Sequence, residues 1–187
     1  ASSLLALVSI LGLAVSLAVK DSLSNLAGGL TILGTKPFKV GDYVQIDDIE
    51  GTVQDIGLVY TSLTTWDNRR ILVPNSTVVD AEVTNYTTEP LRRVDLTITA
   101  SYGASVEEVK DVIQGVLARH DKVLKDPAPF ARLSSYGDNA LGYAGRAWCR
   151  TEDYWDVYYD LLEELKSAFD AAGLSIPYPQ MEVTLRK

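Results

Sequence analysis

From Ala1 to Val19 the chain carries no charged side chain, and small residues (Ser9, Gly12, Ala14, Ser16, Ala18) are threaded between leucines and valines. Lys20 and Asp21 end that run. Leu23, Leu26, Leu30 and Leu33 then recur at i, i+3, i+7 and i+10, the spacing of an amphipathic helix, with Gly28-Gly29 as a weak point inside it. After Pro37 the pattern changes to short β-rich runs, "GDYVQID", "EGTVQDIGLVYTSLTTW" and "RRILVP", parted by turn residues at Asp47-Asp48 with Gly51 and at Asp67-Asn68. Alternation at Val44/Ile46, through Val53 to Val59, and at Ile71/Val73 predicts an SH3/Sm-like β-barrel, with "DAEVTNY" as its closing strand. "TTEP" (Thr87 to Pro90) reads as a linker.

Beyond the linker, "RRVDLTITASY" alternates as a strand, and a helix follows with Ser105 as N-cap and Glu108 three residues on, a capping box. Its apolar face is Val106, Val109, Val112, Ile113, Val116 and Leu117. Strands around "FARLSSYG" and "YAGRAWCR" come next. The last helix runs from Tyr154 to Ala172 and stops at Gly173, with Tyr158, Leu161, Leu162, Leu165 and Phe169 as its core side. The order β-α-β-β-α is that of a ferredoxin-like α/β domain. The tail "MEVTLRK", after the rigid "IPYP" turn, predicts one more strand that pairs outside the domain. The expected division is therefore a membrane helix over 1–20, an interfacial helix over 21–34, a β-barrel domain over 35–88, a ferredoxin-like domain over 89–178 and a terminal strand over 179–187. The fold class is an α+β membrane protein.

Three readings of the opening segment remain open: a membrane span, a buried core helix and a secretory signal. At about 100° per residue, Leu13 and Leu17 lie within about 40° of one another. Ser9, Gly12 and Ser16 flank that stripe on one side, and Ile10, Ala14 and Ala18 on the other. Leu4, Val8, Leu11, Val15 and Val19 occupy the far side. Small-xxx-small surfaces let membrane helices approach closely, and two such flanks allow a neighbour on each side. Repeated by rotation, these contacts close a ring, with Leu13 and Leu17 at its axis as an apolar constriction that blocks ions by dewetting. A single helix in an ordinary bundle tolerates the same small residues. Lys20, on nearly the face of Leu13, would sit at the mouth of such a ring. With Lys36 and Lys39 it places positive charge on the C-terminal side of the span, which is then cytoplasmic.

Charge and composition narrow the function. A net charge of −8 and a pI near 4.6 argue against a nucleic-acid-binding surface. The expected barrel strands are acidic, with no interleaved basic patch. One cysteine, Cys149, and one histidine, His120, leave no disulfide framework, multi-ligand metal site or Ser-His-Asp triad to assemble. Glu107-Glu108 and Glu163-Glu164 read as solvated helix faces, and neither "LAGGL" nor "YGDNALG" has a phosphate-binding fingerprint. No catalytic residues, metal or cofactor are expected, and an enzyme is the least supported class.

Several stretches, in order, resemble the small-conductance mechanosensitive channel family (MscS-type). They are "GLAVSLAVKDSLSNLAGG", "KPFKVGDYVQI", "GTVQDIGLVYTSLTTWDNRRILVPNS", "VTNY" and "YYDLLEELKSAFDAAGLSIPYPQMEV". The resemblance implies a homo-heptameric channel of the inner membrane, multi-pass when full length, with a cytoplasmic cage. Membrane lipid and permeating ions and small solutes are its partners, and tension opens it in hypo-osmotic shock. It implies that Leu13 and Leu17 form the pore constriction. Ala6, Ser9, Ile10, Gly12, Ala14 and Ser16 occupy helix-packing positions, and Lys20 and Asp21 stand at the pore mouth and hinge. Asn25 and Ser76 occupy positions where the interfacial helix meets the barrel domain. Ser9, Ile10 and Ser16 depart from the family's preference for Gly and Ala, and Asp21 stands where its hinge glycine is usual. The alternative from another class is a membrane-anchored oligomeric scaffold that binds a cytoplasmic partner.

Overall fold

A computed structural model of the chain describes residues 2–181, with side chains from residue 6 onward. The chain forms two compact units divided between Thr88 and Glu89.

The first unit opens with a single helix, α1 (Ser2–Thr35). The two predicted segments are thus one element, and the helix runs on through Lys20 and Asp21. Neither residue removes a backbone donor as proline would, so the charge pair changes the surface without breaking the hydrogen-bond ladder. At 1.5 Å per residue α1 is about 51 Å long, well beyond a hydrocarbon core of about 30 Å. Its last third is packed on the strands that follow.

Those strands are β1 (Tyr43–Ile46), β2 (Ile49–Ile56), β3 (Tyr60–Thr64), β4 (Arg70–Pro74) and β5 (Val83–Asn85), with α2 (Asn75–Asp80) between β4 and β5. They form one antiparallel sheet in the order β4-β3-β2-β1-β5. Asp47 turns the two-residue β1–β2 loop in the left-handed region (φ 49°), a conformation that Asp tolerates. Asp42 ties the entry to β1. Its carboxylate accepts the Lys39 N–H (2.9 Å) and the Asn85 side-chain amide (2.8 Å). Burial pushes this carboxyl up, but the hydrogen bonds from Asn85, Lys39 and Thr87 outweigh it and hold the group below the usual carboxylate range. Alternate side chains Val44, Ile46, Val53, Leu63 and Val73 form the core with Ile32, Phe38 and Val78.

The leucine stripe of α1 is not what this unit buries. Leu23, Leu26, Leu30 and Leu33 stay exposed, whereas the opposite positions Gly28, Gly29 and Ile32 are buried and Asn25 is half-buried. That set also follows i, i+3, i+4, i+7 spacing, so the helix has two functional faces and hydropathy marked only one of them.

The second unit comprises β6 (Leu91–Ala100), α3 (Val106–Arg119), β7 (Phe130–Tyr136), β8 (Leu141–Arg150), a 3-10 turn (Thr151–Asp153) and α4 (Tyr154–Ala171). The strands make an antiparallel sheet in the order β6-β8-β7, and both helices pack on one face of it. Ser105 stands at the N-cap of α3, but its side chain makes no capping hydrogen bond, so the expected capping box is not formed. The α4 stop follows its sequence signal. Gly173 is left-handed (φ 70°), its N–H donates to the Asp170 carbonyl, and Leu174 N–H donates to the Phe169 carbonyl, a Schellman motif. The buried positions of α4 are Val157, Leu161, Leu165 and Phe169; Leu162, expected inside, is exposed. Residues 179–181 carry no strand, and the remainder of the predicted terminal strand, 182–187, lies outside the described residues.

Tyr143 is the largest fully buried side chain, and its hydroxyl has no partner among the described residues. Burial pushes its phenol up. A buried hydroxyl without a hydrogen bond costs about 1–3 kcal/mol. Tyr143→Phe is therefore expected to raise stability by about 1 kcal/mol, read as a higher urea midpoint at unchanged slope. A loss of similar size would reveal a hydrogen bond to that hydroxyl.

Candidate functional site

Every side chain from Ala6 to Ser24 is exposed on the single chain. Helix α1 meets the length and hydropathy of a membrane span over Ala6–Thr35. Leu13 and Leu17 stand uncovered at 62% and 63%. Ser16 Oγ donates to the Gly12 carbonyl at 2.8 Å, which satisfies the hydroxyl within its own helix and leaves that flank small and effectively apolar. Apart from its own helix backbone and chain neighbours, no atom of the described residues lies within 4 Å of the position a Gly12 Cβ would take. Ala6, Ser9, Ile10 and Ala14 are likewise exposed, as are Lys20 and Asp21.

The other end of α1 is tightly engaged. Helix α2 begins after Pro74, which offers no side-chain cap, so its first N–H groups need another partner. Asn25 supplies it from α1. Its Oδ1 accepts both Ser76 N–H (3.0 Å) and Ser76 Oγ–H (2.8 Å), while its Nδ2 donates to the Asp21 carbonyl (2.9 Å). Two residues chosen from the sequence, 51 positions apart, are thus joined by two hydrogen bonds, with a third holding the Asn25 side chain to its own helix.

Asn75 was not among the residues chosen from the sequence. It is fully buried, accepts the Thr61 hydroxyl (2.8 Å), and donates its side-chain amide to the Gly57 carbonyl (2.8 Å) and its N–H to the Val59 carbonyl (2.9 Å). The available signal was the "PNS" step, where an amide side chain follows a proline at a strand end. Gly28 and Gly29 rest on this residue. A Cβ on Gly28 would stand 2.8 Å from the Asn75 carbonyl carbon and oxygen, and one on Gly29 would stand 2.5 Å from the Leu58 carbonyl oxygen. The glycine pair is therefore a contact surface for close backbone approach.

Among the described residues no cluster of His, Cys, Asp or Glu is arranged to hold a metal ion. His120 is buried at the end of α3, with Nδ1 accepting Lys122 N–H (3.2 Å) and Nε2 3.5 Å from Asp160. The buried Cys149 thiol is pushed up by burial and by the Asp153 charge, against Arg92. Both are packing groups.

An exposed apolar helix seated by hydrogen bonds on a β unit, and followed in the chain by an α+β unit, defines an α+β protein with one candidate membrane span. Comparison with known proteins takes this further. The family model for the β-domain of mechanosensitive ion channels matches residues 21–88, and that for the C-terminal domain of the MscS mechanosensitive ion channel matches residues 94–176. The chain is 38% identical over 174 residues to the small-conductance mechanosensitive channel of Edwardsiella ictaluri, covering 93% of this chain and 61% of that protein. With the channel of the same name from Helicobacter pylori the identity is 31% over 186 residues, covering 99% and 68%. The crystal structure of Helicobacter pylori MscS in its closed state superposes with a TM-score of 0.94 at 31% identity, over 99% of this chain and 74% of that one. Arabidopsis thaliana MSL1, at 23% identity, shares the fold with a TM-score of 0.82 over 95% and 66%. The chain belongs to the small-conductance mechanosensitive channel (MscS) family. It spans between about half and two thirds of the length of the curated relatives it matches.

Proposed function

We propose that this chain is the pore helix and cytoplasmic part of a membrane channel that opens when tension in the bilayer draws the pore helices apart. The observation that carries this reading is α1 itself. An apolar helix with every side chain from residue 6 to 24 uncovered needs lipid and other helices around it. In this reading those helices are copies of the same chain, seven of them by resemblance to the family. Packing of the small flanks (Ala6, Ser9, Ile10, Gly12, Ala14, Ser16) turns Leu13 and Leu17 toward a common axis. Stacked leucine rings there keep the closed lumen dry, and expansion wets it so that ions and small solutes pass.

The exposed stripe Leu23, Leu26, Leu30 and Leu33 then faces lipid or a neighbouring copy, while Asn25, Ser76, Gly28 and Gly29 couple α1 to the β unit. The ferredoxin-like second unit and a terminal strand build a cage on the cytoplasmic side of the inner membrane, and solute release in hypo-osmotic shock is the physiological role. Patch-clamp of the full-length protein in liposomes tests the proposal: suction-activated steps of uniform conductance are expected, and silence up to membrane rupture defeats it.

Lys20 is unpaired among the described residues and stands about 20° from the direction of Leu13 on the helix. In the ring it places one positive charge per subunit at the pore mouth. Lys20→Gln is expected to move the reversal potential in a salt gradient away from anion preference. An unchanged reversal potential would put this side chain outside the permeation path.

A further inference from the structure

The face of the second unit's sheet that α3 and α4 leave open is basic, although the chain as a whole carries a charge of −8. Strand register sets its rows. Arg93 lies opposite Trp148; Asp95, Arg146 and Phe130 share the next row; Thr97, Ala144 and Arg132 share the one after. Arg93 takes the only carboxylate on these rows, donating to Asp95 through Nε (2.7 Å) and a terminal nitrogen (3.0 Å). Arg146 Nε is left 3.5 Å from the same oxygen, and its guanidinium lies over the Phe130 ring at 5.4 Å. Arg132 is exposed and has no ion pair or hydrogen bond among the described residues. Arg132 and Arg146 are diagonal neighbours on the β7–β8 ladder, roughly 7–8 Å apart at the backbone, with only the methyl of Ala144 between them and Thr97.

From this arrangement we propose that the open sheet face binds a small solute bearing a carboxylate or phosphate group, its oxyanion held between the guanidinium groups of Arg132 and Arg146. Two forked donors at this spacing converge on one oxyanion, which would also relieve their mutual repulsion. The Phe130 ring holds the Arg146 fork in place, and Ala144 leaves room for the rest of the ligand beside the Thr97 hydroxyl. The charge balance favours anions and disfavours neutral solutes of the same shape. The site belongs to the second unit alone and stands independently of the gating proposed above.

Saturation-transfer NMR on the full-length protein in nanodiscs tests it, with succinate, inorganic phosphate and neutral succinamide as probes. Saturable binding of succinate or phosphate, without binding of succinamide, is the expected result. Succinate alone would identify carboxylate solutes, phosphate alone phosphorylated ones, and competition between them a shared head-group site. Arg132→Gln and Arg146→Gln should each weaken binding about fivefold or more, and Arg132→Lys by less, because lysine keeps the charge and loses the fork. Thermal midpoints unchanged in all three variants would place the effect at the surface. Equal binding of succinamide, full binding in Arg132→Gln, or binding of polyanions such as RNA with no small anion bound would each overturn the proposal.

Discussion

Gly29→Val is expected to detach α1 from the β unit. The added Cβ would stand 2.5 Å from the Leu58 carbonyl oxygen and 2.6 Å from the Asn75 side-chain nitrogen. Neither can yield easily, since one is backbone and the other is held by the Gly57 carbonyl. The helix must therefore withdraw, which breaks the bonds from Ser76 to Asn25 and uncovers Ile32, now 2% exposed. Overpacking alone costs about 1–3 kcal/mol, and losing the buried contacts should bring the total to about 3 kcal/mol or more. Urea unfolding of the purified protein measures it. Gly34→Ala is the control on the same helix: nothing lies within 4 Å of that site, and alanine should stabilise by up to about 1 kcal/mol. Were Gly29→Val to unfold at the parent's midpoint, α1 would not be seated on Asn75. In the channel the same change should loosen the link between pore helix and β unit, visible as an altered tension threshold.

Leu17→Ser should make the closed pore leak. If the leucine rings exclude water by their apolar surface, one hydroxyl per subunit supplies hydrogen bonds to water within the constriction and removes the dewetting barrier. A shift of about 1.4 kcal/mol toward the conducting state is a tenfold rise in open probability, and a ring of hydroxyls should exceed that. Recordings at zero applied tension, and growth of cells expressing the full-length variant, both read the effect. Leu11→Ser, on the far side of the helix, is the comparison and should leave the resting pore dry. Normal threshold and no resting leak in Leu17→Ser would move the gate elsewhere along the chain.

How much of this was legible in the sequence depended on the range of the interactions. Alternation at Val44/Ile46 and at Val94, Leu96 and Ile98 identified strands because period 2 is imposed by each strand's own geometry. Gly173 marked the end of α4 because a left-handed residue there is a local requirement. Helix α2 went unseen. Six residues after a proline hold too little pattern, and its stability comes from Asn25 and from the buried Asn75, both matters of tertiary contact. The capping box at Ser105 failed for the complementary reason: the motif was present, but the local bond it offers was not taken. On α4, Leu162 fell one position off the buried stripe, because the sheet contacts Val157, Leu161, Leu165 and Phe169 while hydropathy alone cannot rank adjacent leucines.

The sequence by itself determined that the first nineteen residues are an uncharged apolar run whose small residues flank a leucine stripe at helical spacing, since composition and the 3.6-residue period need no partner to be read. It also determined the run of strands and helices after Pro37, and the absence of any motif for metal or nucleotide chemistry. Only the tertiary structure decided which face of α1 is buried, why Gly28 and Gly29 are glycines, and that Asn25 serves as the cap of α2. Those outcomes rest on contacts between residues about thirty to fifty positions apart. Local pattern carries no information about which backbone will press against which, and there a glycine that looks like a weak point in a helix becomes the place where two backbones meet.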